Sequence, residues 1–188
     1  MMTRLETERL VIRNFHISDW EALHEMIVQY QSSEFAAYDQ PWPTAPDEIK
    51  KITEWFASGD SYLAVCLKAT TRFIGFVALT QESSEDQRTF NLGYVFNFDF
   101  HGHGYATEAC RAVLKHAFED RQAHHVVTGT AAANGASCRL LERLGFQKTS
   151  ESMGTFRQTP DGKPIQFVGC TFELSRDAWK VVDQHSSG

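Results

Sequence analysis

The hydrophobic rhythm of this chain changes at four residues, His101-Gly102-His103-Gly104. Before them, TFNLGYVFNF reads as a strand. After them, Ala106, Ala109, Cys110, Val113, Leu114, Ala117 and Phe118 recur at helical spacing and form a wide apolar stripe. A strand therefore enters a helix through glycines, and any fold must accommodate that unit. The first amides of a helix lack intrahelical partners and lie at the positive end of its macrodipole. Glycine lets the backbone approach an anion closely and reach positive φ. HGHG is thus a candidate phosphate cradle made of backbone. The two histidines suggest a metal instead. A zinc site needs three or four ligands with oriented partners, and no Cys or carboxylate stands nearby at ligand spacing. His116, His124 and His125 are too generic to complete a set, so no metal is expected. A P-loop requires Gly-Lys-Ser/Thr, whereas Gly104 is followed by Tyr105-Ala106. A dinucleotide fingerprint wants an acid closing the next strand, and VVTGTA offers none.

The remaining elements follow from periodicity and punctuation. LETERLVIRNF reads as a first strand. Ser18 and Glu21 have capping-box spacing ahead of a helix through Trp20, Leu23, Ile27 and Tyr30. After the proline-rich loop QPWPTAP, Thr44 is expected to cap a second helix carrying Ile49, Ile52 and Phe56 and ending near Gly59. YLAVCLK, FIGFVALTQ and TFNLGYVFNF read as a three-stranded meander, with ESSEDQR joining the last two. HHVVTGTA is a further strand. Asn134 caps a short helix that Gly145 terminates. FQKTSESMGTF and IQFVGCTFEL form the last two strands, turning at PDGKP. The order predicts an α+β protein with one mixed sheet and helices on both faces. Its length suits one domain, placed at residues 1–180, with 181–188 as a disordered tail.

Charge and cysteine usage narrow the function. A formal net charge of −6 argues against nucleic acid, which needs a basic face, and suits a cationic partner such as an amine. Cys66, Cys110, Cys138 and Cys170 form no CxxC pair and read as reduced thiols in or near a core, placing the protein in the cytoplasm. The opening MMTRLETERL lacks a signal-peptide core, and no apolar run approaches membrane-span length, so no membrane partner is expected.

Three segments in order, ETERLVIR, LGYVFNFDFHGHGYATEA and NGASCRLLERLGF, resemble the GCN5-related N-acetyltransferase (GNAT) superfamily. The likeness is narrower to its RimJ/RimL branch of ribosomal-protein N-terminal acetyltransferases and spans Leu5 to Trp179. It implies a mostly antiparallel sheet of about seven strands, splayed between the fourth and fifth, with a bulge in the fourth. It implies acetyl-CoA as co-substrate, its arm pairing with backbone near Val95 and Phe96 and its pyrophosphate on the amides from His101 through Gly102, His103, Gly104, Tyr105 and Ala106 to Thr107. The superfamily motif Gln/Arg-x-x-Gly-x-Gly/Ala here reads His101-x-x-Gly104-x-Ala106, and backbone binding makes the first letter replaceable. Asn134 and Ser137 match the branch's N-x-x-S, Asn toward the pantetheine arm and Ser toward the CoA sulfur.

Acetyl transfer to an amine needs a neutral amine, donors for the developing oxyanion and a proton for the leaving thiolate. Leu141 occupies the position of the superfamily's acid Tyr, so the resemblance passes that role to Ser137. Asn91 stands where a basic Glu is common. Glu82 and Asp39 are then the candidate bases. The family's acceptor pocket maps to Tyr38, Trp42, Phe156 and Arg157. The expected function is acetyl-CoA-dependent N-acetylation of a primary amine, a protein N-terminus or a small molecule, by a monomer or homodimer. The alternative is a catalytically degenerate acyl-CoA sensor or scaffold, motivated by Asn91 and Leu141.

Overall fold

A computed structural model describes residues 3–82 and 88–186. The link ESSEDQR falls largely on residues 83–87, outside the described residues. Eight strands form one sheet in the order β1-β2-β3-β4-β5-β6-β8-β7. They are β1 (Arg4–Glu6), β2 (Leu10–Asn14), β3 (Tyr62–Leu67), β4 (Phe73–Gln81), β5 (Thr89–Phe96), β6 (His125–Ala131), β7 (Gln147–Gln158) and β8 (Pro164–Ser175). The helices are α1 (Trp20–Gln31), α2 (Pro46–Ala57), α3 (Tyr105–Lys115), α4 (Gly135–Arg143) and α5 (Arg176–Ser186). The expected α+β class and mixed, mostly antiparallel sheet are present, the one parallel pair among the described strands being β5–β6.

The strand count exceeds seven because LETERLVIRNF is a hairpin. Thr7 turns the chain, its amide donating to Leu10 O at 3.0 Å and its hydroxyl accepting the Leu10 amide at 2.9 Å. The fourth and fifth strands of the sequence reading are therefore β5 and β6.

Alternating side chains give the sheet two buried faces. Leu63 and Val65 of β3 and Ile74, Val77 and Leu79 of β4 face α3 and α4. Ala64, Cys66, Phe73, Phe76 and Ala78 face α1 and α2. Leu23, Met26 and Ile27 form the buried stripe of α1, and Ile49 and Phe56 lie on that of α2. All four cysteines are free thiols, Cys138 alone being partly exposed.

Three local expectations change. Ser18 does not cap α1. A 3₁₀ turn at Ile17–Asp19 precedes the helix, and Asp19 accepts the His16 amide at 2.8 Å while Arg13 grips its carboxylate with two nitrogens at 2.8 and 2.9 Å. A charge-assisted fork holds the turn more firmly than a serine hydroxyl would. Thr44 does not cap α2. Ala45 is the N-cap and Pro46 the first helical residue, where a missing N–H costs nothing. The segment expected as a tail is helical through Ser186, since α5 docks. Trp179 stacks on Phe118 at 5.6 Å, and the Arg176 guanidinium donates to the carbonyls of Ala123 and Phe118. A Cβ on Gly145 would stand 2.5 Å from the Val182 side chain, so the glycine ending α4 also admits α5. Residues 187–188 lie outside the described residues.

Candidate active site

The parallel ladder between β5 and β6 lasts three residue pairs, Thr89–His125, Phe90–Val126 and Asn91–Val127. Beyond it the strands part. At the fork the buried Thr128 hydroxyl donates to Leu92 O at 2.7 Å, replacing the next ladder bond with a side chain. The pairing of β5 with β4 runs from Gln81–Phe90 to Gly75–Phe96 without a shift, so the expected bulge is absent from that register. Parting from β6 alone opens the sheet. A cavity of about 820 Å³ fills the gap, lined by β5 from Leu92 to Phe96, by β6 from Thr128 to Ala131, by the glycine loop and by α4.

The glycine loop is held at both ends. Gln29 of α1 accepts the Phe98 amide at 2.7 Å where the chain leaves β5. Gly102 and Gly104 then take φ of +78° and +79°, the left-handed region that glycine enters without a Cβ penalty. Among the described residues, the amides from Gly102 to Thr107 find no acceptor within the protein. A Cβ on Gly102 would meet nothing within 4 Å. These free donors at the N-terminus of α3 fit an anionic group such as a diphosphate.

The hairpin turn braces this loop from behind. Glu108, in the first turn of α3, accepts from the Thr7 hydroxyl at 2.5 Å, from the Arg9 amide at 2.9 Å and from Arg9 Nε at 2.7 Å. Arg9 also donates to His103 O at 3.0 Å and lies over the Tyr105 ring at 4.6 Å. Desolvation alone would raise the Glu108 carboxyl, but the Thr7 and Arg9 hydrogen bonds outweigh it and hold the group below the usual range. Both histidines serve the loop itself. His101 Nε2 donates to Phe96 O at 3.0 Å and His103 Nδ1 to His101 O at 2.8 Å. Among the described residues no group of three or more His, Cys, Asp or Glu side chains could hold a metal ion.

Across the gap, Asn134 caps α4 by accepting the Ser137 amide at 3.1 Å. The Ser137 hydroxyl lies 2.6 Å from the Tyr94 hydroxyl of β5. Burial pushes the Tyr94 phenol well above its ordinary value, so it stays protonated at neutral pH. A protonated phenol coupled to a serine has the chemistry to donate a proton to a group held between the strands.

The family profile for the acetyltransferase (GNAT) domain matches residues 9–147. The chain belongs to the GNAT acetyltransferase family. It is 27% identical over 146 residues to the uncharacterized N-acetyltransferase YnaD of Bacillus subtilis, covering 77% of this chain and 82% of that protein. Its fold is similar to a GNAT-family acetyltransferase from Bacillus anthracis, with a TM-score of 0.77, 21% identity and coverage of 93% and 99% of the two chains. It is also similar in fold to the ribosomal-protein-S5-alanine acetyltransferase of Vibrio fischeri, with a TM-score of 0.77, 17% identity and coverage of 94% and 98%.

Within this GNAT fold, the cavity gathers Val95, Phe96, His101, Gly102, Gly104, Tyr105, Ala106, Thr107, Asn134 and Ser137 with Tyr38, Asp39 and Phe156. Four expected residues do not line it. His103 turns onto its own loop and stacks on Tyr105 at 5.7 Å. Trp42, half-buried, packs against Phe56 and Phe76 at the border of the α1/α2 core. Arg157 acts from behind the wall, donating to Asp39 O at 3.2 Å and to Gln31 Oε1 at 2.6 Å. Glu82 lies exposed beyond the end of β4. Leu141 is fully buried in the core, and Asn91 sits in the paired part of β5. Sequence reasoning missed Tyr94, although it stands in the quoted LGY, because its partner is 43 residues away. Arg9 of ETERL was visible as a motif letter, but only the hairpin shows what it grips.

Proposed function

We propose that the protein transfers the acetyl group of acetyl-CoA to a primary amine, within the RimJ/RimL-like branch of the family. One observation carries the reading: unpaired amides at a left-handed glycine turn lie beside a sheet gap that also holds the half-buried Tyr94–Ser137 pair. The amides from Gly102 to Thr107 bind the diphosphate. The β5 edge left open by β6 supplies donors and acceptors to the pantetheine arm near Val95 and Phe96. The cap of α4 occupies Asn134 Oδ1, leaving its side-chain NH2 for the same arm. Acetyl-CoA supplies an activated thioester.

The chain's own groups then divide the proton chemistry. An amine of pKa about 10.4 must lose a proton before attack. Asp39 is the one carboxylate among the described residues lining the cavity and is the candidate that receives it, directly or through water. Backbone amides of β5 stabilise charge on the carbonyl oxygen. Ser137, with Tyr94 behind it, donates toward the departing thiolate, a help kept modest because a thiolate leaves far more readily than an alkoxide. The likeness in fold to the ribosomal-protein-S5-alanine acetyltransferase of Vibrio fischeri supports a protein as one acceptor class.

The test combines binding with turnover. Acetyl-CoA should raise the melting temperature, and free thiol should appear with at least one member of a panel of amines and peptide N-termini. No stabilisation by acetyl-CoA would refute the cradle. Stabilisation without turnover on any amine would favour an acyl-CoA sensor.

A further inference from the structure

The lining of the cavity away from the glycine loop differs from it in kind, and this part forms an aromatic chamber. Tyr30 of α1, Tyr38 of the following 3₁₀ turn, and Phe156 and Phe167 of the β7–β8 hairpin line it together. Tyr38 and Phe167 have ring centroids 5.7 Å apart, and Phe156 and Phe167 5.4 Å apart. The wall depends on a glycine. Gly154 pairs with Phe167 across the hairpin, and a Cβ there would stand 2.9 Å from the ring. The ring therefore lies over the neighbouring strand.

One carboxylate enters this aromatic chamber. Asp39 is half-buried, accepts the Tyr30 hydroxyl at 3.0 Å and the Gln40 amide at 2.7 Å, and is in no ion pair among the described residues. Arg157 stands nearby, its guanidinium donating to the Asp39 backbone carbonyl and to Gln31 and not to the carboxylate itself. A carboxylate with no direct ion-pair partner among ring faces favours a cation, through Coulomb attraction and cation–π contact together. A single acid also limits the charge it can balance. A polyamine would place further ammonium groups against aromatic walls without counter-charges, and a free amino acid would bring its own carboxylate against Asp39.

We infer that the acceptor chamber selects a primary amine that carries one positive charge on an aromatic or apolar body, with Asp39 holding the ammonium and Tyr38, Phe156 and Phe167 covering the body. The inference rests on the acetyl-transfer reading for the chamber's role as acceptor site, though its ligand chemistry can be measured without turnover. That chemistry has two sources, a free arylalkylamine or a chain terminus that begins with an aromatic residue.

The experiment titrates phenethylamine, ethylamine, spermidine and the peptide Phe-Ala-Ala-amide into the CoA-saturated protein by calorimetry, then follows thiol release with acetyl-CoA. Phenethylamine or the peptide should bind at least about tenfold tighter than spermidine or ethylamine, and whichever of the two binds tighter names the source. Asp39→Asn should weaken that binding about tenfold or more while keeping the thermal shift with acetyl-CoA. Phe167→Leu, which keeps an apolar side chain, should erase the preference over ethylamine. Equal or tighter binding of spermidine, or unchanged affinity in Asp39→Asn, overturns the inference. Aryl-amine binding without turnover leaves the chamber standing and refutes acetyl transfer. Turnover of other amines with no aryl-amine binding refutes the chamber and leaves acetyl transfer intact.

Discussion

Substituting Gly104 separates two ways in which a glycine can matter. A Cβ at this position would lie 3.5 Å from Arg9 Nη2, an ordinary contact, so space is not what requires glycine. The backbone is: φ is +79° and ψ 2°. Alanine in the left-handed region costs roughly 1–2 kcal/mol, asparagine less because its side chain is tolerated there, and β-branched valine more. That strain must surface somewhere. If the loop keeps its shape, the melting temperature of Gly104→Ala falls by about 2–8 °C, at about 2–4 °C per kcal/mol for a chain of this size. If the loop relaxes instead, the strain is met when acetyl-CoA binds, and the dissociation constant rises about 5- to 30-fold. Thermal unfolding and calorimetry on Gly104→Asn, →Ala and →Val should rank the damage in that order. Gly59→Ala is the control, since its φ is not positive and nothing lies within 4 Å of the added carbon. Asparagine as harmful as valine, or alanine leaving both melting temperature and affinity unchanged, would refute the backbone argument.

Other perturbations probe the remaining parts. Ser137→Ala and Tyr94→Phe should each lower kcat while largely sparing acetyl-CoA affinity, measured by thiol release and calorimetry; unchanged kcat in both would remove the pair from proton transfer. Glu108 has a lowered folded-state pKa, so its stabilisation is present at neutral pH and above its unfolded value of about 4.3, and is lost as pH falls through the lower folded value. Melting curves of Glu108→Gln should therefore fall short of those of the wild type at pH 7 and approach them as pH drops through the lowered Glu108 value, beneath the ordinary carboxylate range. Thr128→Val leaves Leu92 O without its donor at the fork and should destabilise the protein by about 1–3 kcal/mol in denaturant unfolding.

Much of this protein was legible in its sequence, because the signals were local. The three meander strands, the Asn134 cap and the left-handed Gly145 each depend on residues within a few positions of one another, and periodicity or capping chemistry exposes them. The glycine loop was legible for the same reason: strand, Gly-x-Gly and helix are contiguous. The first hairpin was not, since Thr-Glu-Arg can continue a strand or turn one, and pairing of Arg4 with Arg13 and of Ile12 with Val65 decides between them.

The sequence by itself determined that a strand would enter a helix through a glycine turn and expose the helix-start amides. Tertiary structure decided what surrounds it. Only chain folding brings Arg9 to Glu108, Tyr94 to Ser137 and Asp39 into a chamber with Phe167, and it also packs Trp42 against the core and leaves Glu82 outside. The physical reason is distance along the chain. Backbone conformation is set by near neighbours, whereas the charge, burial and proton affinity of a side chain are set by groups that the fold brings from elsewhere.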